Sequence, residues 1–239
     1  MQKYWAGVKN LQNQIFSMFG QGAFAFGMYM VKKHLLNYSW RKMILYSIVA
    51  LNLVDVCFVL PTVTGALRSQ YFYLGETVMG QLPYAVQFLF QGFVAVEMAD
   101  KGNEGMVFGL LTTMHNLGLP FAQAIANQIF GQFPDSLSDA DNYIRDTDSF
   151  RTQVAWSFAL TWFFHLVCLA SLPLLPDQKK EAQKWKATWP SSPVYGKITV
   201  SLIAFAWFYA ITISMLAMFP NTMCLEIAGG DGCDSEQQP

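Results

Sequence analysis

Residues 43–66, MILYSIVALNLVDVCFVLPTVTGA, form an apolar run that contains one carboxylate, Asp55. A run of this length can cross a hydrocarbon layer about 30 Å thick, which takes about 20 helical residues. Five further apolar runs of similar length occur in the chain of 239 residues. The six runs cover residues 11–31, 43–66, 78–98, 106–130, 153–175 and 199–219. The sequence therefore predicts an all-α membrane protein with six transmembrane helices.

The composition supports a membrane environment. Hydrophobic residues make up 53% of the chain and charged residues only 13%, against roughly 25% charged residues in soluble domains. The runs lack the alternation of barrel strands, and a lipid-exposed backbone must satisfy its own hydrogen bonds, so helices are expected. A soluble helical protein is disfavoured, because too little polar surface remains to cover such a core. We expect the lipid bilayer as a partner, and no nucleic acid.

The basic residues predict an orientation and a division of the chain. Ten of the fifteen Lys and Arg residues lie in the segments that follow the first, third and fifth predicted helices. The positive-inside rule makes these segments cytoplasmic. Residues 1–175 then form a bundle of five spans, and residues 176–198 form a basic cytoplasmic linker. The sixth span, 199–219, leads into an external tail at 220–239.

Cysteine usage agrees with this layout. Cys57 and Cys168 lie inside predicted spans, where a thiol usually behaves as a small apolar filler. Cys224 and Cys233 lie in the predicted external tail, CLEIAGGDGC, and are separated by a Gly-Gly turn. Two cysteines in an oxidising compartment at this spacing predict a small disulfide loop.

Asp55 is the most informative polar residue in the spans. A charged side chain at the bilayer centre costs on the order of 3 kcal/mol, so such residues usually face a protein interior or water. Asn52 lies three residues earlier, on the same helix face. We predict that Asp55 contacts solute or a coupling ion, although a hydrogen bond that only joins two helices is the alternative. His165, on an aromatic-rich helix, is predicted to be structural.

Polar residues on two other helices extend the candidate site. In the run 106–130, four of them form one stripe: Thr112, Asn116, Gln123 and Asn127. His115 stands beside this stripe, and Gln87 lies in the run 78–98. Two interpretations stay open for the amides, a water-accessible substrate cavity and hydrogen bonding that holds the helices together. The tentative substrate or coupling residues are therefore Asp55, Asn52, His115, Asn116, Gln123 and Gln87.

The sequence does not predict an enzyme. It contains no G-x-S-x-G nucleophile motif and no metal-binding cluster, so no catalytic, metal or cofactor site is expected. A two-carboxylate protease would need a second acid at membrane depth. The glycines of GQGAFAFG, residues 20–27, do not have dinucleotide-binding spacing and sit inside a predicted span. They indicate close helix packing.

A motif at residues 102–118, GNEGMVFGLLTTMHNLG, resembles the G-x-E-[AG]-[TM]-x-[FY]-[AG]-L-L-x-[ST]-x-x-N-x-G signature of folate-biopterin transporters, a branch of the major facilitator superfamily. The hairpin before the helix matches at Gly102, Glu104 and Gly105. A looser match covers residues 27–45, and the tail MFPNTMCLEIAGGDGC is similar to the ends of oomycete members of the family.

The resemblance implies a fold and a function. The first five helices would correspond to spans eight to twelve of a twelve-span transporter, with the sixth helix added. The chain would then be a C-terminal fragment whose partner is a missing N-terminal half. Its solute would be a pteridine or a folate, moved by alternating access. The alternative is a self-contained six-span scaffold or subunit that moves no solute.

Overall fold

A computed structural model of the protein describes residues 1–188 and 192–228. These residues form helices and turns, with no strand among them. The α-helices are α1 Asn10–Met30, α2 Trp40–Thr64, α3 Gln70–Met79, α4 Gln81–Met98, α5 Glu104–Phe130, α6 Ala140–Arg145, α7 Asp148–Cys168, α8 Lys179–Thr188 and α9 Pro193–Met218. A π-helical turn, Val31–Leu35, follows α1, and a 3-10 turn, Leu169–Leu174, follows α7. The predicted all-α class is confirmed.

Three of the described helices are long and apolar enough to cross a membrane. They are Trp40–Thr64, Asp148–Leu174 and Pro193–Met218. The other three predicted runs also form helices, but polar residues lower their hydropathy. In α4, for example, Gln81, Gln87, Gln91 and Glu97 interrupt the apolar residues. Length and hydropathy therefore indicate a membrane protein with three candidate spans, fewer than the six predicted.

The third predicted run, residues 78–98, does not form one uninterrupted helix. The regular helix is interrupted only at Gly80, which keeps helical backbone angles and donates its N–H to the carbonyl of Glu76 at 2.9 Å. Helix α3 precedes this residue, and most of it, residues 70–77, lies in what the apolar pattern predicts to be a connecting segment. A proline explains this interruption. In a regular helix the N–H of residue 83 would donate to the carbonyl of Met79, but Pro83 has no N–H. Two connecting segments also contain helices. Helix α6 lies within residues 131–152, and α8 lies within the linker 176–198.

The chain divides into two compact units. The first, Met1–Met98 with Ala140–Ala187, contains α1–α4 and α6–α8, and we call it the bundle. The second, Ala99–Asp139 with Thr188–Pro239, contains α5 and α9, and we call it the helix pair. The contacts of α5 and α9 thus place these two helices in one unit. The five-span bundle at residues 1–175 stays a prediction.

Small residues bring α1 close to its neighbours in the bundle. A Cβ atom added at Gly27 would lie 2.8 Å from the Cβ of Ala85 in α4. One added at Gly20 would lie 3.2 Å from the carbonyl oxygen of Thr77 in α3. Gly22, on the same helix, has no such neighbour within 4 Å. Two of the glycines at 20–27 therefore permit close helix packing, which only a missing side chain allows.

An ionic cluster closes one end of the bundle. Asp146 accepts hydrogen bonds from Arg151 Nη2 at 2.7 Å and from Arg68 Nη2 at 2.9 Å. The Arg68 guanidinium also lies 4.6 Å from the ring centroid of Trp5, whose N–H donates to the carbonyl of Tyr143. Hydrogen bonds from Arg151 and Arg68 hold the pKa of Asp146 well below its usual range. The cluster connects the end of α2, the start of α7 and the N-terminal segment.

Helix α8 closes the opposite end. Its Ala182 is fully buried in a core with Val31, Trp40, Met43 and Phe90. Lys179 Nζ lies 2.6 Å from a Glu97 carboxylate oxygen at the end of α4. The basic segments 32–42 and 176–188 therefore meet at one end of the bundle. We call these contacts the α8 tie.

Candidate functional site

Helices α2, α3 and α7 bring together five polar side chains within the bundle. The group comprises Asn52, Asp55, Glu76, Trp162 and His165, and we call it the polar cluster. Asn52 is buried and its Oδ1 lies 2.7 Å from His165 Nδ1. This contact joins α2 to α7 through one side-chain hydrogen bond.

The two acids of the polar cluster lie near each other. Asp55 in α2 and Glu76 in α3 come from neighbouring helices and act on each other electrostatically. We call these two residues the carboxyl pair.

Aromatic residues line the same region. The indole N–H of Trp162 lies near the Asp55 carboxyl and is buried without a hydrogen-bond partner. Tyr73 of α3 and Tyr84 of α4 lie within electrostatic range of both acids. Phenol and indole groups can donate hydrogen bonds to a carboxylate or to a bound solute. These three side chains therefore place donors on α3, α4 and α7 around the polar cluster.

Local caps fix the helices that carry the polar cluster. The Ser39 hydroxyl accepts from the N–H of Lys42 at the start of α2, and Gly65, with a φ of 80°, ends that helix. The Thr147 hydroxyl accepts from the N–H of Phe150 at the start of α7. Asn52 and Asp55 are three residues apart, as are Trp162 and His165, so each pair lies on one helix face. The two faces meet at the contact between Asn52 and His165.

The other candidate residues lie on α4 and α5. Gln87 lies on α4 of the bundle, where its Nε2 is buried without a hydrogen-bond partner. His115, Asn116 and Gln123 lie on α5 of the helix pair and are exposed. The contacts therefore unite Asn52 and Asp55 and leave the three α5 residues in the other unit.

The motif hairpin has its own geometry. The N–H of Gly102 donates to the side chain of Glu104 at 2.8 Å, and Gly102 has a φ of 92°, which favours glycine. Helix α5 begins at Glu104, so a carboxylate occupies the positive end of the helix dipole. A side chain added at Gly105 would meet no heavy atom within 4 Å. The predicted disulfide stays a prediction, because Cys233 lies outside the described residues.

Three residues of the polar cluster were not predicted. Glu76 falls just before the run 78–98 and was assigned to a connecting segment, although it is the only charged residue between Arg68 and Glu97. That isolation is a signal that could have identified it. His165 was predicted to be structural. For Trp162, the sequence indicated only a position in an apolar helix.

No protein-family model, curated protein or solved structure matches the chain. The resemblance to folate-biopterin transporters therefore rests on the sequence motif at residues 102–118, with the looser matches at 27–45 and in the tail. The described residues also contain no group of three or more side chains suited to hold a metal ion. The polar cluster is the candidate site that the geometry itself provides.

Proposed function

We propose that this chain is part of a multi-pass membrane transporter that resembles the folate-biopterin family and moves solute by alternating access. In this proposal the six spans are α1, α2, the broken α3–α4 helix, α5, α7 with its 3-10 turn, and α9. The polar cluster is the observation that carries the proposal. Two acids, an imidazole and an amide on apolar helices are costly in a bilayer, and such groups usually belong to substrate or ion pathways.

The solute class comes from the resemblance alone. Pteridines and folates carry hydrogen-bonding ring edges, and the polar cluster, with Tyr73 and Tyr84 beside it, supplies carboxyl, indole and phenol partners for such edges. His115, Asn116 and Gln123 on α5 stay predicted solute contacts.

Uptake measurements test this function. Cells that express the whole reading frame containing this chain should accumulate labelled biopterin or folate above vector controls. Asp55→Asn should reach the membrane in normal amounts and lose most of this uptake, because the amide keeps the shape but cannot change charge. Asp148→Asn is the matched control, since the Asp148 side chain is 99% exposed.

The scaffold alternative makes the opposite prediction. A scaffold or subunit would give no uptake of either solute, at normal membrane abundance, for wild type and both variants. That outcome would contradict the transport proposal and favour a six-span scaffold or subunit.

A further inference from the structure

We infer that the basic segments at the α8 tie form a binding surface for anionic phospholipid headgroups, and that bound headgroups hold α8 against the bundle. We call this surface, formed by residues 32–42 and 177–187, the basic surface. It contains no residue of the polar cluster. The inference depends on the bundle and on two of its candidate membrane spans, and it goes beyond the proposed function.

The candidate spans place the basic surface at a membrane boundary. One span begins at Trp40, and another ends at Leu174. The N–H of Trp40 donates to the carbonyl of Asp177 at 2.7 Å, and Arg41 Nε donates to the carbonyl of Leu175 at 2.6 Å. The two spans therefore leave the membrane side by side, and α8 follows directly. Residues just outside a span lie at the depth of the phospholipid headgroups.

Positive charge is in excess at the basic surface. Eight cations lie in its two segments: Lys32, Lys33, Arg41, Lys42, Lys179, Lys180, Lys184 and Lys186. Three acids of the bundle, Asp177, Glu181 and Glu97, lie among them or pair with them. Asp100 and Lys101, which follow α4 in the chain, have opposite charges and leave the balance unchanged. Because three carboxylates can balance at most three cations, the bundle keeps an excess of five positive charges here, which attracts an anionic leaflet.

The ion pairs of the α8 tie use its carboxylates and leave lysines at the surface. Lys179 Nζ lies 2.6 Å from Glu97, and Arg41 Nη2 lies 3.6 Å from Glu181. These pairs fix α8 to the ends of α4 and α2. The lysines with exposed side chains are Lys32, Lys33, Lys42, Lys179, Lys180 and Lys184.

Apolar and aromatic side chains beside these lysines favour a lipid over a soluble anion. Leu36 and Tyr38 are 43% and 58% exposed, and Gln178 Nε2 donates to the carbonyls of both, which joins their loop to the start of α8. The Arg41 guanidinium lies 5.9 Å from the ring centroid of Trp185. Trp and Tyr side chains are enriched at membrane interfaces, because their rings are amphipathic. A surface for free phosphate would need only the cations.

Bound headgroups should strengthen the α8 tie. Like charges on the two segments repel each other and oppose the docking of α8. Phosphate groups between the lysines reduce this repulsion. A lipid that binds the docked arrangement more tightly than the detached one stabilises docking by mass action. The charge of the leaflet thereby controls how firmly α8 is held.

Lipid retention tests the surface. The full chain is placed in nanodiscs with equal amounts of phosphatidylcholine and phosphatidylglycerol, and native mass spectrometry counts the lipids that it retains. Wild type should retain phosphatidylglycerol preferentially. A triple variant with Lys32→Gln, Lys42→Gln and Lys180→Gln should lower the ratio of the two lipids at least ten-fold, since each basic residue near an anionic surface contributes roughly a five-fold preference.

The matched control removes three exposed cations at the opposite end of the bundle, with Lys3→Gln, Lys9→Gln and Arg145→Gln. It should change the lipid ratio less than about two-fold. Equal ratios in wild type and the first triple variant, or an equal loss in the control, would overturn the inference.

Hydrogen exchange tests the effect on α8. In wild type, the amides of α8 should be better protected in nanodiscs that contain phosphatidylglycerol than in phosphatidylcholine alone. Because this comparison uses wild type, it remains decisive even if a variant fails to fold. Equal protection in the two lipids would refute the effect on docking. Inorganic phosphate, exchanged for chloride at equal ionic strength, should not reproduce the protection in phosphatidylcholine. If it did, the surface would bind soluble anions and the lipid assignment would be wrong.

Discussion

The bundle and the helix pair each contain a long helix with an internal proline and several polar residues, namely α2 and α5. On α2, Asn52 and Asp55 contact side chains of neighbouring helices. On α5, Asn116 and Gln123 are exposed. Glycines follow the same division, since Gly20 and Gly27 have close neighbours whereas Gly105, Gly109 and Gly118 have none within 4 Å. Similar residue patterns thus have different structural roles in the two units.

The largest expected difference between the units is in uptake. Asp55→Asn should lower the rate of solute uptake at least ten-fold, equivalent to about 1.4 kcal/mol, because it removes a charge that the polar cluster is built around. Asn116→Leu on α5 should lower it less than about three-fold, the loss of a single weak hydrogen bond. Uptake is compared at equal surface abundance. A larger loss for Asn116→Leu would reverse the comparison and move the centre of the site to the helix pair.

Asp146 in the bundle and Glu104 in the helix pair both accept hydrogen bonds. Asp146 should contribute more to the free energy of unfolding. Asp146→Ala leaves Arg68 and Arg151 facing each other without their shared acceptor, so the free energy of unfolding should fall by about 1 to 3 kcal/mol. Glu104→Ala in the helix pair removes one exposed contact and should cost about 0.5 kcal/mol. Denaturant unfolding in detergent provides both values, and equal losses would contradict the comparison.

The same acid predicts a pH dependence. The pKa of Asp146 is lower in the folded protein than in the unfolded chain. Its stabilising effect is therefore fully present above the ordinary aspartate pKa of about 4 and declines as the pH falls below it. Wild type should lose more stability than Asp146→Ala between about pH 4 and pH 2. Parallel curves for the two proteins would show that the ionic cluster contributes nothing.

Glycine substitutions should change stability in opposite directions. Gly27→Ala places a methyl group against Ala85 and should destabilise the bundle by about 1 to 2 kcal/mol. Gly109→Ala meets open space inside a helix and should stabilise α5 by about 0.5 to 1 kcal/mol, because alanine loses less backbone entropy. Gly22→Ala, on the same helix as Gly27, is the control for helix propensity. Thermal unfolding monitored by circular dichroism measures all three.

Glycosylation tests on which side of the membrane one segment of each unit lies. We expect this test to involve no change in the stability of the protein. Asn37, Tyr38 and Ser39 form an acceptor sequence in the segment predicted to be cytoplasmic, so it should stay unmodified. Ser136→Asn creates a second acceptor sequence at 136–138, in the segment of the helix pair predicted to be external, and that site should carry a glycan. A glycosidase-sensitive mass shift that requires Asn37 would reverse the predicted orientation.

Much of the helical fold could be predicted from the sequence, because hydrophobic runs fix where helices form. The break at Gly80 was missed because the polar residues of α3 interrupt the apolar pattern. Asp55 and Asn52 were identified since a charge in an apolar run stands out. The contacts of Glu76, Trp162 and His165 with these two residues could not be predicted. Periodicity shows which side chains share one face of a helix, but not which neighbouring helix that face contacts.

The α8 tie also bears on biosynthesis. Helix α8 packs against residues that leave the ribosome far earlier, and Arg41 Nε donates to the carbonyl of Leu175, 134 residues along the chain. Until residue 182 has been made, Val31, Trp40 and Phe90 lack the surface that covers them. A chain arrested after α7 would therefore hold its first membrane helices with this end uncovered. Quality-control factors that recognise exposed apolar surface should bind such arrested chains and release them once α8 has emerged.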